Sequence, residues 1–275
     1  MTDTVRKGVA TLSWVLWLCL TGSTVVGLAG CASNAAGAGG NSDLVTESDE
    51  PENRKRARLR LELAVAYFDK GQTTDALDHL KQSIGADPTL FEAYNLRGLI
   101  YMRLNDVPLA EESFRRALSI NSRAASIQHN YGWLLCQQGR FPESMQLFAS
   151  ALTNPTYGDR AKTWMAQGLC QQRAGQLADA ESSLLRSYEL DAGNPITAYN
   201  LSVLLYQRGE FVRAQFYVRR LNNSELANAE SLWLGIKVER RMENREAMAQ
   251  LGVQLKKRFP QSREYLAFER GAFNE

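Results

Sequence analysis

Two stretches of this 275-residue chain decide its fold, because the second repeats the pattern of the first. Residues 93–120 read AYNLRGLIYMRLNDVPLAEESFRRALSI, and residues 129–152 read HNYGWLLCQQGRFPESMQLFASAL. Gly98 and Gly132 hold the same place in the two stretches and are 34 residues apart. The chain has no strand-like alternation of apolar and polar residues. The sequence therefore predicts an all-α fold built on a repeat of about 34 residues.

A period near 34 residues is the signature of tetratricopeptide repeats, in which each unit is a pair of antiparallel helices. A second glycine series supports it, since Gly71, Gly139, Gly175 and Gly209 are separated by 68, 36 and 34 residues. One unit cannot bury its apolar faces alone, so the stack of units is what folds. We predict a right-handed superhelical solenoid of six repeats at about 57–90, 91–124, 125–160, 161–194, 195–228 and 228–261, followed by a capping helix at 262–271.

Two positions of the template have a direct physical cause. A small residue lets the first helix of each unit lie close against the second, and in chain order it is Ala64, Gly98, Gly132, Gly168, Ser202 and Gly235. The glycine series supplies the C-cap that ends each first helix. Asn105 holds that place in the second unit and is the next-best residue for it.

The first helices of such a stack line its concave surface, chiefly through positions 5, 9 and 12 of each repeat. These positions are largely apolar and include aromatic and Met side chains typical of recognition surfaces. Positions 5 and 12 are expected to be the more exposed, and they include His129, Cys136, Leu232 and Glu239. Position 9, which includes Ile236, is open to a second interpretation, packing against the neighbouring helix. The residues predicted for a partner-binding groove are Leu61, Val65, Phe68, Leu99, Met102, Trp133, Met165, Tyr199 and Tyr206.

A clamp for a C-terminal carboxylate is disfavoured at the first repeat. Repeats of this class that bind such a group use Lys and Asn on successive first helices. Leu61 and Val65 stand there instead. An apolar or amphipathic segment of another protein fits this surface better.

No catalytic motif is present: the sequence lacks G-x-S-x-G, a P-loop and H-E-x-x-H, so we expect no enzyme activity, cofactor or small-molecule substrate. The chain has 32 basic and 30 acidic side chains, a balance that does not favour nucleic acid. A metal site at His129, Cys136 and Cys170 is disfavoured, because the first two lie about 10.5 Å apart along one helix. An oxidising compartment allows a disulfide between the two cysteines, but we expect two buried free thiols.

The N-terminus has the order of a secretory signal: Arg6 and Lys7, an apolar run, then small residues before Cys31. Residues 28–31, LAGC, resemble the lipobox of bacterial lipoproteins. The resemblance implies a signal peptide at 1–30 and lipidation of Cys31. Ala32 rather than aspartate follows, which favours the outer membrane. An uncleaved membrane helix over about 9–30 is the alternative. Residues 31–56 are small or acidic and are expected to form a flexible linker.

Three further stretches resemble the type IV pilus biogenesis lipoproteins of the PilF/PilW kind. They are HNYGWLLCQQGRFPES (129–144), NLSVLLYQRGEFVRAQFY (200–217) and SLWLGIKVERRMENREAMAQLGVQLKKRFPQSREYLAF (231–268). The resemblance implies a pilotin, which binds the secretin subunit and helps it reach or assemble in the outer membrane. A general periplasmic adaptor lipoprotein that scaffolds barrel-assembly components or cell-wall enzymes is the alternative.

Overall fold

The computed structural model describes residues 49–273, which fold entirely as helices and turns. The predicted signal peptide, Cys31 and most of the predicted linker lie outside the described residues. In chain order the helices are α1 (Glu52–Asp69), α2 (Thr73–Ala86), α3 (Phe91–Arg103), α4 (Val107–Ile120), α5 (Ala125–Gln137), α6 (Phe141–Leu152), α7 (Arg160–Arg173), α8 (Leu177–Leu190), α9 (Pro195–Gln207), α10 (Phe211–Asn222), α11 (Ala229–Arg241), α12 (Arg245–Arg258) and α13 (Arg263–Glu269).

The helices pair into six units, each with an odd-numbered A helix and the even-numbered B helix after it. Unit 1 is α1 with α2, unit 6 is α11 with α12, and α13 packs on both helices of unit 6. Each A helix also contacts the next A helix. Within residues 49–273, neighbouring B helices do not come into such contact. The A helices are therefore closer together and line the inner, concave side of the curve.

Close contact between the A and B helices of a unit depends on the predicted small residues. A β-carbon at Gly98 would lie 2.6 Å from Phe114 Cε1, and one at Gly168 would lie 2.7 Å from Leu184 Cγ. Unit 3 has Ser144 on its B helix, and the Ser144 hydroxyl donates to the Gly132 carbonyl at 2.7 Å. These contacts confirm that the small residues let the A helix of a unit lie close against its B helix.

The turns that end the A helices use left-handed backbone, as the glycine series predicts. Gly71, Gly139, Gly175 and Gly209 have φ between 74° and 80°, and Asn105 has φ of 59°. In unit 6 the same conformation falls on Glu243, with φ of 58°. This residue was not identified from the sequence, because glutamate is a poor choice for a left-handed position.

The predicted boundary between linker and repeats, at residue 56, is wrong. Helix α1 begins at Glu52, because ion pairs hold its first turns to the loop after α2 and to Glu50. The Arg54 guanidinium lies 2.8 Å from Asp87 Oδ2 in the loop after α2, and Arg58 pairs with Glu50 at 2.9 Å. Glu50, an acidic residue of the predicted linker, thus has a partner within the folded unit.

None of the helices within residues 49–273 combines the length and the hydropathy that crossing a bilayer requires.

Candidate partner-binding face

The nine groove residues predicted from the sequence all lie on A helices. Val65 is exposed, with 41% of its surface accessible, and the other eight are half-buried. Leu61 and Phe68 pack against the apolar core below α1, and Leu99 and Met102 pack against the next core along the stack. These side chains therefore support the stack with one side and present the other to solvent. That they bind a partner stays a prediction.

Phe68 has a neighbour that the sequence did not point to. The Arg103 guanidinium carbon lies 3.8 Å above the centre of the Phe68 ring, and Arg103 Nη1 donates to the Phe68 carbonyl at 2.8 Å. The two residues are 35 positions apart, one repeat plus one residue. An arginine on the next A helix at that spacing is the signal that could have identified it. Arg103 covers one face of Phe68 and adds a positive charge to the apolar surface.

The middle of the concave face is closed by a disulfide. Cys136 on α5 and Cys170 on α7 are bonded, with their Cα atoms 5.8 Å apart. The expectation of two free thiols is therefore wrong. The two sulfurs meet because successive A helices contact each other along this line, which brings a residue late in α5 opposite a residue late in α7. The bond fixes units 3 and 4 to each other.

His129 is buried about two turns before this disulfide, at the contact between α5 and α7. Its Nδ1 lies 2.9 Å from Thr163 Oγ1, and its ring lies beside that of Phe148. Burial, together with the nearby charge of Lys162, lowers the pKa of His129 from 6.5 to about 4. The imidazole is therefore neutral at physiological pH.

Cys136 and Cys170, two of the three residues of the disfavoured metal site, are bonded to each other and offer no thiolate to a metal ion. Within the described part of the chain, no group of three or more His, Cys, Asp or Glu side chains is arranged to hold a metal.

The expectation that positions 5 and 12 are exposed is wrong in two units. His129 and Cys136 are 6% and 0% exposed in unit 3, and Leu232 and Glu239 are 0% and 1% exposed in unit 6. In both units neighbouring elements cover the position. Leu232 packs in one core cluster with residues of α13, while Glu239 accepts from Arg219 Nε at 2.7 Å on α10.

Position 9 is also buried in unit 6. Ile236 is fully covered in the cluster shared with α13, which agrees with the second of the two interpretations given for that position.

The C-terminal end of the face is aromatic. Tyr199 and Tyr206 on α9 are half-buried, and burial raises the pKa of the Tyr199 hydroxyl. Lys237 on α11 places its ammonium 6.0 Å from the centre of the Tyr206 ring and 5.5 Å from that of Trp233. Trp233 in turn stacks on Phe273. Neither Trp233 nor Lys237 was among the predicted residues, because α13 and the residues after it set their surroundings.

Comparison with known proteins agrees with this architecture. The family model for the tetratricopeptide repeat matches residues 61–126, 95–159 and 132–195. The paired helices and the concave A-helix face therefore define a tetratricopeptide-repeat protein, a class of protein-interaction modules.

Proteins similar to this chain identify a family within that class. Type IV pilus assembly protein PilF of Pseudomonas aeruginosa is 30% identical over 244 residues, which cover 89% of this chain and 94% of PilF. A structure of that PilF matches with a TM-score of 0.73 at 28% identity, over 80% of this chain and 100% of the other. PilW, described as a widely conserved type IV pilus biogenesis factor, matches with a TM-score of 0.70 at 31% identity, over 77% and 97%.

The chain belongs to the PilF/PilW family of type IV pilus biogenesis proteins. The family resemblance drawn from the sequence is confirmed, as is the prediction of an all-α, right-handed superhelical stack of tetratricopeptide repeats.

Proposed function

We propose that this protein is a pilotin: an outer-membrane lipoprotein that binds the secretin subunit of the type IV pilus and promotes its localisation and assembly in the outer membrane. The observation that carries the proposal is the match to PilF over 89% of this chain and 94% of that protein's length. Pilus biogenesis and twitching motility would then depend on this chain through the secretin.

The concave A-helix face is the surface proposed to bind the secretin. Half-buried apolar and aromatic side chains reach solvent along this face in units 1 to 5. Such side chains favour binding because they bury apolar area at small cost in conformational entropy. The same residues offer no combination of nucleophile, base and oxyanion donor that would suggest catalysis. We therefore propose binding without enzyme activity.

The membrane anchor is proposed at Cys31, from the lipobox-like LAGC at 28–31. A single acyl chain binds a membrane only reversibly, whereas a lipidated and N-acylated cysteine has enough chains for stable anchoring. The protein would face the periplasm, within reach of a secretin subunit that arrives there.

The anchor is tested by Cys31→Ser. We expect the variant to fold with the same helical signal by circular dichroism and to leave the outer-membrane fraction. A variant that still fractionates with the outer membrane would contradict the anchor.

The partner is tested by capture from detergent-solubilised membranes, with the lipidated protein as bait and mass spectrometry of the bound proteins. We expect the secretin to be the dominant capture. Dominant capture of barrel-assembly components or cell-wall enzymes would contradict the pilotin proposal and favour a general periplasmic adaptor.

A further inference from the structure

Lys237 is an unusual residue on the A helix α11, close to the predicted groove residue Tyr206. Its side chain is half-buried on α11, and burial lowers the pKa of its ammonium below the usual range. Among residues 49–273, no carboxylate lies within ion-pair distance of Lys237 Nζ, and no acceptor there receives a hydrogen bond from it. Two aromatic rings, Tyr206 and Trp233, are its close neighbours. Aromatic faces attract a cation but accept no strong hydrogen bond, so the charge is only partly compensated.

A cleft opens beside this ammonium, between α11 and α13. Its volume is about 340 Å³, and its walls include Trp233, Lys237, Arg263, Glu264 and Leu266. Arg270 completes them, and Lys237 and Arg263 by themselves outnumber the one acidic group, Glu264. Trp233 and Leu266 contribute apolar surface, and the charge of the lining side chains is net positive. A ligand that complements this cleft has an apolar or aromatic part beside a negative charge.

The way the cleft continues the groove indicates the form of the ligand. The centres of the Tyr206 ring, a predicted groove residue on α9, and of the Trp233 ring, which lines the cleft, lie 6.0 Å and 5.5 Å from Lys237 Nζ. A segment that runs from Tyr206 into the cleft therefore passes the ammonium. Such a segment presents a side chain at that point, which favours Asp or Glu over a chain terminus.

We propose that Lys237 and the cleft beside it form a carboxylate-binding subsite, which takes an Asp or Glu side chain of a partner segment next to an apolar or aromatic residue. The proposal deepens the proposed function and rests on binding of a partner segment to the concave face. It adds an acidic residue to the chemistry of that segment. It also differs from the terminal-carboxylate clamp that is disfavoured at unit 1, since it lies at the other end of the stack.

The subsite is tested with random peptides displayed on phage, selected on the purified protein in detergent. Display fuses the peptide C-terminus to the coat protein, so a terminal carboxylate cannot account for the selection. We expect the wild-type protein to select peptides with Asp or Glu beside an aromatic or aliphatic residue. Lys237→Met should bind the best such peptide at least tenfold more weakly, and Lys237→Arg should retain binding within about threefold.

The control variant is Lys257→Met, because Lys257 is an exposed lysine on the B helix α12. It should bind the selected peptide as the wild type does, and circular dichroism should show equal helical signal for all variants. A second selection on Lys237→Glu should reverse the preference towards Lys or Arg.

Recovery of peptides without an acidic preference, or of no peptide at all, would overturn the subsite. Equal binding by the wild type and Lys237→Glu would also overturn it. The peptide selection does not involve the secretin. Failure of secretin capture would therefore contradict the pilotin proposal, and the peptide selection alone would still decide whether the subsite exists. Preference for a free C-terminal carboxylate in synthetic peptides over an internal Asp would likewise contradict the proposal.

Discussion

In unit 1, Leu61 and Phe68 are half-buried and face the concave side, whereas in unit 3 the residues at the same template positions, His129 and Cys136, are buried. The two units have the same helix pair and the same close contact between A and B helices. The two units differ in the A helix that follows them. After unit 3 this helix is α7, whose Thr163 hydrogen-bonds to His129 and whose Cys170 forms the disulfide with Cys136.

After unit 1, the next A helix is α3 of unit 2, and its Arg103 guanidinium covers one face of Phe68 and leaves the ring half-buried. The comparison teaches that a repeat position does not by itself decide exposure on this face. The contacts made by the neighbouring elements decide it. We therefore regard unit 3 as a rigid joint and unit 1 as a surface available to a partner.

Removal of the disulfide should have the largest effect on stability. The bond closes a loop across 34 residues, for which the loop-closure model gives about 4 kcal/mol of stabilisation. Cys136→Ser with Cys170→Ser should lower the free energy of unfolding by about that amount in urea titrations. Reductant should produce the same loss in the wild type and none in the double variant. A loss below about 1 kcal/mol would show that unit 3 is not held by this bond.

Protonation of His129 should give the next largest effect. Its pKa is about 4 when folded and 6.5 in the reference state, so below pH 6.5 the unfolded chain binds a proton that the folded protein does not. The free energy of unfolding should therefore fall between pH 6.5 and pH 4, by up to about 3 kcal/mol.

His129→Asn is the matched control, and its stability should change less over the same pH range. Equal slopes for the wild type and His129→Asn would contradict the buried, neutral state of this histidine in unit 3.

The close contact between the A and B helices of unit 2 should not tolerate a β-carbon at Gly98. Gly98→Ala places a β-carbon against Phe114 and should cost about 1–3 kcal/mol of unfolding free energy. Gly85→Ala on α2 is the control, since a β-carbon there meets nothing within 4 Å, and it should leave stability unchanged or raise it by up to about 1 kcal/mol. Equal stabilities of the two variants, measured by urea denaturation, would contradict this account of the shared contact.

Features set by one helix pair could be predicted from the sequence. The small residue at Gly98 and the left-handed turn at Asn105 follow from contacts within a single unit, so they can be predicted from the repeat pattern. The groove residues could be placed on A helices for the same reason.

Features set between units could not be predicted. Whether Cys136 and Cys170 bond depends on the separation of two A helices, which the period alone does not give. The surroundings of Lys237 depend on α13, which lies outside the repeat pattern. The start of α1 at Glu52 depends on an ion pair with Asp87, whose position is known only once unit 1 is folded.

The most direct test of the central claim, that the open concave surface binds the secretin, compares two substitutions on α1. Phe68→Asp changes the concave face, and Leu63→Asp changes a leucine that is 43% exposed and is not among the predicted groove residues. Both variants should keep the helical signal of the wild type. We expect the Kd for detergent-solubilised secretin to rise at least tenfold for Phe68→Asp and less than twofold for Leu63→Asp. Equal affinities of the two variants would contradict the claim.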